Sequence, residues 1–168
     1  MYQVSERVKK QFEYTMSIPC VKEAMKFIQD ERNTIEEQKE LVLIEAPTRE
    51  EEKRAAVMME KFKALGLENV HIDRGGNVVG LRRGSGKGPK VLIEGHLDTV
   101  FPFGTVHGVE ERDGFLYAPG IGDDTRALAM LLGLLRALNQ NEIKTFGDIV
   151  FVATTREEGM GGLGGKIS

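Results

Sequence analysis

Apolar residues recur at helical spacing through the first third of the chain. Val8, Phe12 and Met16 lie four apart between Ser5 and Ser17, which predicts a helix closed off by Pro19. A second helix is expected to begin near Val21 and carry Ala24, Met25 and Ile28. Thr34 and Glu37 have capping-box spacing, predicting a fresh start ahead of Ile35, Leu41 and Val42. Ala46-Pro47 breaks that pattern. Thr48 and Glu51 repeat the capping signal before Ala55, Met58, Phe62 and Leu65, and Gly66 stands where a C-terminal cap belongs.

From Asn69 the period changes. Val70 and Ile72, then Val78, Val79 and Leu81, flank Arg74-Gly75-Gly76-Asn77 and predict two strands around a turn. Gly84 to Pro89 is a loop. It superficially resembles a phosphate-binding loop, but Gly88 replaces the required Ser or Thr and a strand follows it. Val91-Leu92-Ile93 reads as a buried strand running into Gly95-His96-Leu97-Asp98. A short strand is expected at Gly114 to Ala118. A helix from about Asp124 to Asn139, apolar on most sides, should lie deeply buried against a sheet. Ile149 to Ala153 is a continuous apolar run, suited to a strand covered on both faces. Strands alternating with helices indicate an α/β layered fold, and no repeat or linker divides the chain.

Composition adds exclusions. The 168 residues suit one well-buried domain, and 40% hydrophobic with 29% charged residues is ordinary for a globular protein. A net charge of −3 argues against a nucleic-acid footprint, and Arg82, Arg83, Lys87 and Lys90 read as a solvated loop cluster. Cys20 has no partner for an internal disulfide, no signal peptide is recognisable, and no apolar run is long enough to span a membrane. The expectation is a cytoplasmic protein with neither nucleic-acid nor membrane partners.

Three clusters follow predicted strands: His96 with Asp98, Asp123 with Asp124, and Glu157 with Glu158. In α/β sheets, sites gather at the carboxyl ends of strands. Each cluster taken alone has a plainer reading: a strand-end His with a turn Asp, a helix N-cap, a solvated acidic pair. Together they supply the ligand types of a hydrolytic zinc site. His96 and Asp98, two apart, leave the same face of an extended segment, which suits an imidazole ligand oriented by a carboxylate. His71 and His107 read as surface residues.

Glu94-Gly95-His96-Leu97-Asp98-Thr99-Val100, Ala118-Pro119-Gly120-Ile121-Gly122-Asp123-Asp124 and Arg156-Glu157-Glu158-Gly159 resemble, in order and spacing, three motifs of the di-zinc aminoacylase and carboxypeptidase family. Acetylornithine deacetylase, succinyl-diaminopimelate desuccinylase, tripeptidase T and glutamate carboxypeptidase belong to it. The resemblance implies a helix–sheet–helix catalytic domain of zinc exopeptidase type. Its activity would be hydrolysis of peptide or N-acyl amino-acid amides by a water activated between two metals. By that resemblance His96 binds one zinc, Asp123 bridges both and Glu158 binds the second. Glu157 is the general base, and Asp98 holds His96. Cobalt and manganese accept similar ligands. Adjacent glutamates point apart in a strand, so a turn is required there, which Gly159 would permit.

The family is longer than this chain. Residues 1–168 correspond to the N-terminal portion of the catalytic domain. A further acidic ligand, a late His ligand and an inserted lid domain used for dimerisation are expected elsewhere. Arg156 also stands where the family has a small or acidic residue. The expectation is a C-terminally incomplete domain, weak as a catalyst by itself, with an exposed sheet edge that invites self-association. Two alternatives stand beside it: a noncatalytic fragment acting through a partner chain, and a nucleotide-binding domain suggested by Gly159-Met160-Gly161-Gly162-Leu163-Gly164.

Overall fold

The computed structural model describes residues 4–158. Its elements are α1 (Glu6–Ser17), α2 (Pro19–Gln29), α3 (Arg32–Val42), α4 (Glu52–Ala64), β1 (Glu68–Ile72), β2 (Val78–Arg82), β3 (Val91–His96), β4 (Glu110–Arg112), β5 (Phe115–Tyr117), α5 (Thr125–Gln140) and β6 (Ile149–Thr154). Four strands form one sheet in the order β1-β2-β6-β3, while β4 and β5 make a separate hairpin. The β1–β2 and β2–β6 pairs are antiparallel, and β3–β6 is parallel, in register from Val91↔Ile149 to His96↔Thr154. A parallel pair needs a crossover, and α5 supplies it.

The core is one cluster joining α4, α5 and the sheet. Met58 and Phe62 meet Leu128, Leu132 and Leu135 over Val78, Phe151 and Ala153. The Phe62 and Phe151 rings pack edge-on, 6.3 Å between centroids. Gly80 permits the close approach of α4 and the loop after it, because a Cβ there would stand 2.7 Å from Leu67 Cδ1 and 3.4 Å from Phe62 Cδ2. As its unbroken apolar run predicts, β6 is buried on both faces from Phe151 to Thr154.

The predicted elements sit where periodicity places them, but several starts differ, and the three-residue β4 has no apolar pattern to announce it. Pro19 opens α2 rather than merely ending α1, since its missing N–H costs nothing at the first helical position. Neither capping box forms. Thr34 lies inside α3 against Gly133 of α5, and Glu37 is drawn into a two-pronged ion pair with Arg136. Long-range partners outcompete the local cap. The strand β3 also departs from expectation: Val91 and Leu92 are 49% and 45% exposed, because β3 lies at the edge of the sheet. The basic cluster is partly structural. Arg82 donates to the Ile143 carbonyl at 2.6 Å, and Arg83 pairs with Glu68 and Asp148. Among the described residues no helix is long and apolar enough to cross a membrane.

Candidate active site

Parallel pairing of β3 with β6 brings their carboxyl ends side by side, and α5 begins beside them. His96 ends β3, Asp123 and Asp124 precede α5, and Glu157 and Glu158 follow β6. His96 Nε2 lies 2.8 Å from Asp123 Oδ1, 3.8 Å from Asp124 Oδ2 and 3.9 Å from Glu157 Oε2. Two triplets, His96–Glu157–Glu158 and His96–Asp123–Asp124, each offer ligand atoms within 4.8 Å of one another. All three clusters picked out along the sequence therefore converge on one point.

The two aspartates after Gly122 divide the work. Asp124 is the N-cap of α5, accepting from the Ala127 amide at 3.3 Å and from the His96 amide at 3.0 Å. Asp123 projects outward, its side chain 77% exposed, toward the imidazole. Asp98 is fully buried. Its carboxylate accepts the Glu157 and Glu158 amides, each at 3.0 Å, and the Thr48 hydroxyl at 2.9 Å. The His96 ring is held chiefly by the Asp98 carbonyl, 3.0 Å from Nδ1, with the Asp98 carboxylate at 3.6 Å. Asp98 thus fixes the backbone of both glutamates as well as the imidazole.

The turn that separates Glu157 from Glu158 comes from Arg156, whose φ is +60°; Gly159 lies outside the described residues. Buried Glu51 steadies it, accepting the Arg156 amide at 3.2 Å and the Arg49 amide at 2.8 Å. Thr48 and Glu51, read along the sequence as a capping box, instead serve this site. Their segment is carried there by a bridge of Pro47 to Thr99. Arg54 is a further residue that the sequence pattern does not reveal. It is 1% exposed and donates to the carbonyls of Ile44, at 2.8 Å, and Leu97, at 2.6 Å. His71 is exposed on β1, as expected of a residue without a role in the site.

Electrostatics describe a site short of positive charge. Burial opposes ionisation of His96, but Asp98, Asp124 and Asp123 outweigh it and raise its pKa to about 9. Burial likewise works against the Asp98 carboxylate, while His96, the two glutamate amides and Thr48 hold its pKa at about 2. Glu158 is raised by burial and then by the neighbouring acids, chiefly Asp123. One imidazole among convergent carboxylates is a donor set that divalent cations satisfy, and the residues present fit such ions.

Residues 92–167 match the model of peptidase family M20/M25/M40. A LysW-lysine/LysW-ornithine hydrolase of Pyrococcus abyssi is 35% identical over 121 residues, covering 72% of this chain and 32% of the relative. Carboxypeptidase G2 of a Pseudomonas species is 34% identical over 86 residues, covering 50% of this chain and 20% of that one. A tripeptidase structure from Staphylococcus aureus superposes with a TM-score of 0.67 at 31% identity, covering 79% of this chain and 39% of that one. The chain spans about a third of the length of the curated relatives it matches. Three ordered motifs that converge in space, on an α/β frame shared with these proteins, carry the match of residues 92–167 to peptidase family M20/M25/M40.

Proposed function

We propose that the chain carries the metal-binding and proton-transferring part of a hydrolase of peptide or N-acyl amino-acid amides. The observation that carries this is the convergence of His96, Asp123, Glu157 and Glu158 at the ends of two parallel strands. The names of the relatives, a hydrolase of LysW-lysine or LysW-ornithine, a carboxypeptidase and a tripeptidase, support the choice of amide substrates.

In this reading His96 and Glu158 would each hold a divalent ion, with Asp123 as the ligand common to both. Zinc suits the donor set, and cobalt or manganese would serve. Such ions, when bound, would supply Lewis acidity toward a scissile carbonyl and would make water a better acid. Glu157, exposed and within 3.9 Å of His96, takes the proton of the attacking water and returns it to the departing amine. Asp98 keeps the His96 ring turned and the two glutamates splayed, so that one faces metal and the other water. Asp124 stays at its cap, tying α5 to β3.

Metal titration of the purified, metal-free chain tests this. His96→Ala and Asp123→Ala should each lose metal stoichiometry or weaken affinity by at least about tenfold. Glu157→Gln should keep metal, because a base that faces water is not a ligand. Unchanged stoichiometry in both alanine variants would refute the assignment.

A further inference from the structure

Asp123 stands in a loop that is tied down on either side of it. On the C-terminal side, Asp124 caps α5 and accepts the His96 amide. On the N-terminal side, the Ile121 carbonyl accepts the Thr125 hydroxyl at 3.0 Å and the Gln38 side-chain amide at 2.6 Å. The first of these bonds is local. Among the described residues, Gln38 supplies the hydrogen bond that holds residues 118–122 from another part of the fold. Only Gly122 separates the anchored carbonyl from Asp123.

Gln38 is built to hold rather than to move. It lies on α3, is 6% exposed, and has both ends of its amide engaged. Its Oε1 accepts from Arg126 Nη1 at 3.3 Å, and Arg126 Nη2 donates to Glu31 at 2.9 Å. A guanidinium only donates and a carbonyl only accepts, so one orientation of the amide satisfies both neighbours. The helix beneath it is fixed as well. Glu37 pairs with Arg136 through two hydrogen bonds, and the Thr34 hydroxyl lies 3.0 Å from where a Cβ on Gly133 would stand. Three positions of α5 thus hold α3, and α3 holds the loop that leads back into α5.

We propose that Gln38 is a positioning residue of the candidate active site, setting through the Ile121 carbonyl where the Asp123 carboxylate stands relative to His96. The proposal rests on the reading of Asp123 as a metal ligand. Outer groups that orient a ligand are typically worth 10–100-fold in metal affinity. Gln38 acts on the backbone two residues before the ligand, with no hydrogen bond to the ligand itself. Glutamate in its place would still accept from Arg126, but would turn a second acceptor oxygen on the Ile121 carbonyl. Methionine would fill similar space and offer the carbonyl no donor. Either change releases the loop on the side where a single glycine leads to Asp123.

Calorimetric titration of the metal-free 168-residue chain with zinc, paired with thermal unfolding before metal is added, is the test. Gln38→Glu and Gln38→Met should each weaken zinc binding by about tenfold. Their metal-free unfolding midpoints should stay within about 4 °C of the parent. A purely structural residue would give the reverse, a lowered midpoint with parental affinity, and that result would overturn the proposal. So would the loss of folding in both variants. His96→Ala and Asp123→Ala, titrated alongside, tell two failures apart. If these two lose zinc while the Gln38 variants bind as the parent does, the positioning role alone is wrong. If all four bind as the parent does, the metal-site reading falls with it.

Discussion

Asp98 illustrates how one side chain organises several others. Fully buried, it accepts from Thr48 and from the amides of both glutamates, so its charge is spread over a turn it did not build. Asparagine in its place would keep the shape but present an NH2 group to one of those donors. Asp98→Asn should therefore weaken metal affinity by roughly 10–100-fold although Asp98 is not assigned as a ligand. Calorimetric titration of the variant checks this; affinity equal to that of the parent would show that the turn stands without it. Glu51 works one step further out, and the size of its effect separates acceptor from charge. Glu51→Ala leaves the amides of Arg49 and Arg156 without their acceptor and should cost about 2 kcal/mol. Glu51→Gln, which keeps an acceptor oxygen, should cost less than half of that in the same urea denaturation series.

At the scale of elements, contacts made across the fold replace the local signals that the sequence offers. Arg54 on α4 reaches out of the helix to the carbonyls of Ile44 and Leu97, tying two loops to the core. Burial lowers its pKa to about 10, with the Asp98 charge acting the other way, so it remains charged at neutral pH. Arg54→Met should destabilise the chain by roughly 2–4 kcal/mol, because two buried carbonyls lose a charged donor. Gly80→Ala tests the helix–sheet seam in the opposite sense, by adding volume. With Leu67 and Phe62 already against that position, about 1–3 kcal/mol should be lost. Thermal unfolding measures both, and a Gly80→Ala variant as stable as the parent would mean that α4 shifts freely over β2.

Across the whole molecule, stability should be greatest where the sheet is paired on both sides. Among the described strands only β2 and β6 have neighbours along both edges, and β6 is also buried on both faces. Amide exchange of Phe151 and Val152 is expected to be the slowest in the chain and to report global unfolding. Leu92 and Glu94 amides, turned away from β6, should exchange faster than those of Phe151 and Val152. Equal protection at all four residues would show that pairing to neighbouring strands does not set the order of exchange.

The sequence by itself determined the identity of most elements and which titratable residues stand at their ends. Apolar spacing is set by helix and strand geometry, so α1, α5, the β1–β2 hairpin and β6 were legible from periodicity alone. The three acidic and histidine motifs were equally legible, because each stands at the end of a strand or the start of a helix that the apolar pattern marks. Tertiary structure decided everything that depends on which strands are neighbours. The order β1-β2-β6-β3 exposes Val91 and Leu92, which the apolar run alone had placed inside. It also brings Thr48, Glu51 and Arg54 beside Asp98 and Arg156. Read locally, the first two of these could only be a helix cap. Each of these residues also has a partner 43 to 105 positions away, and only the folded chain brings such a partner within reach.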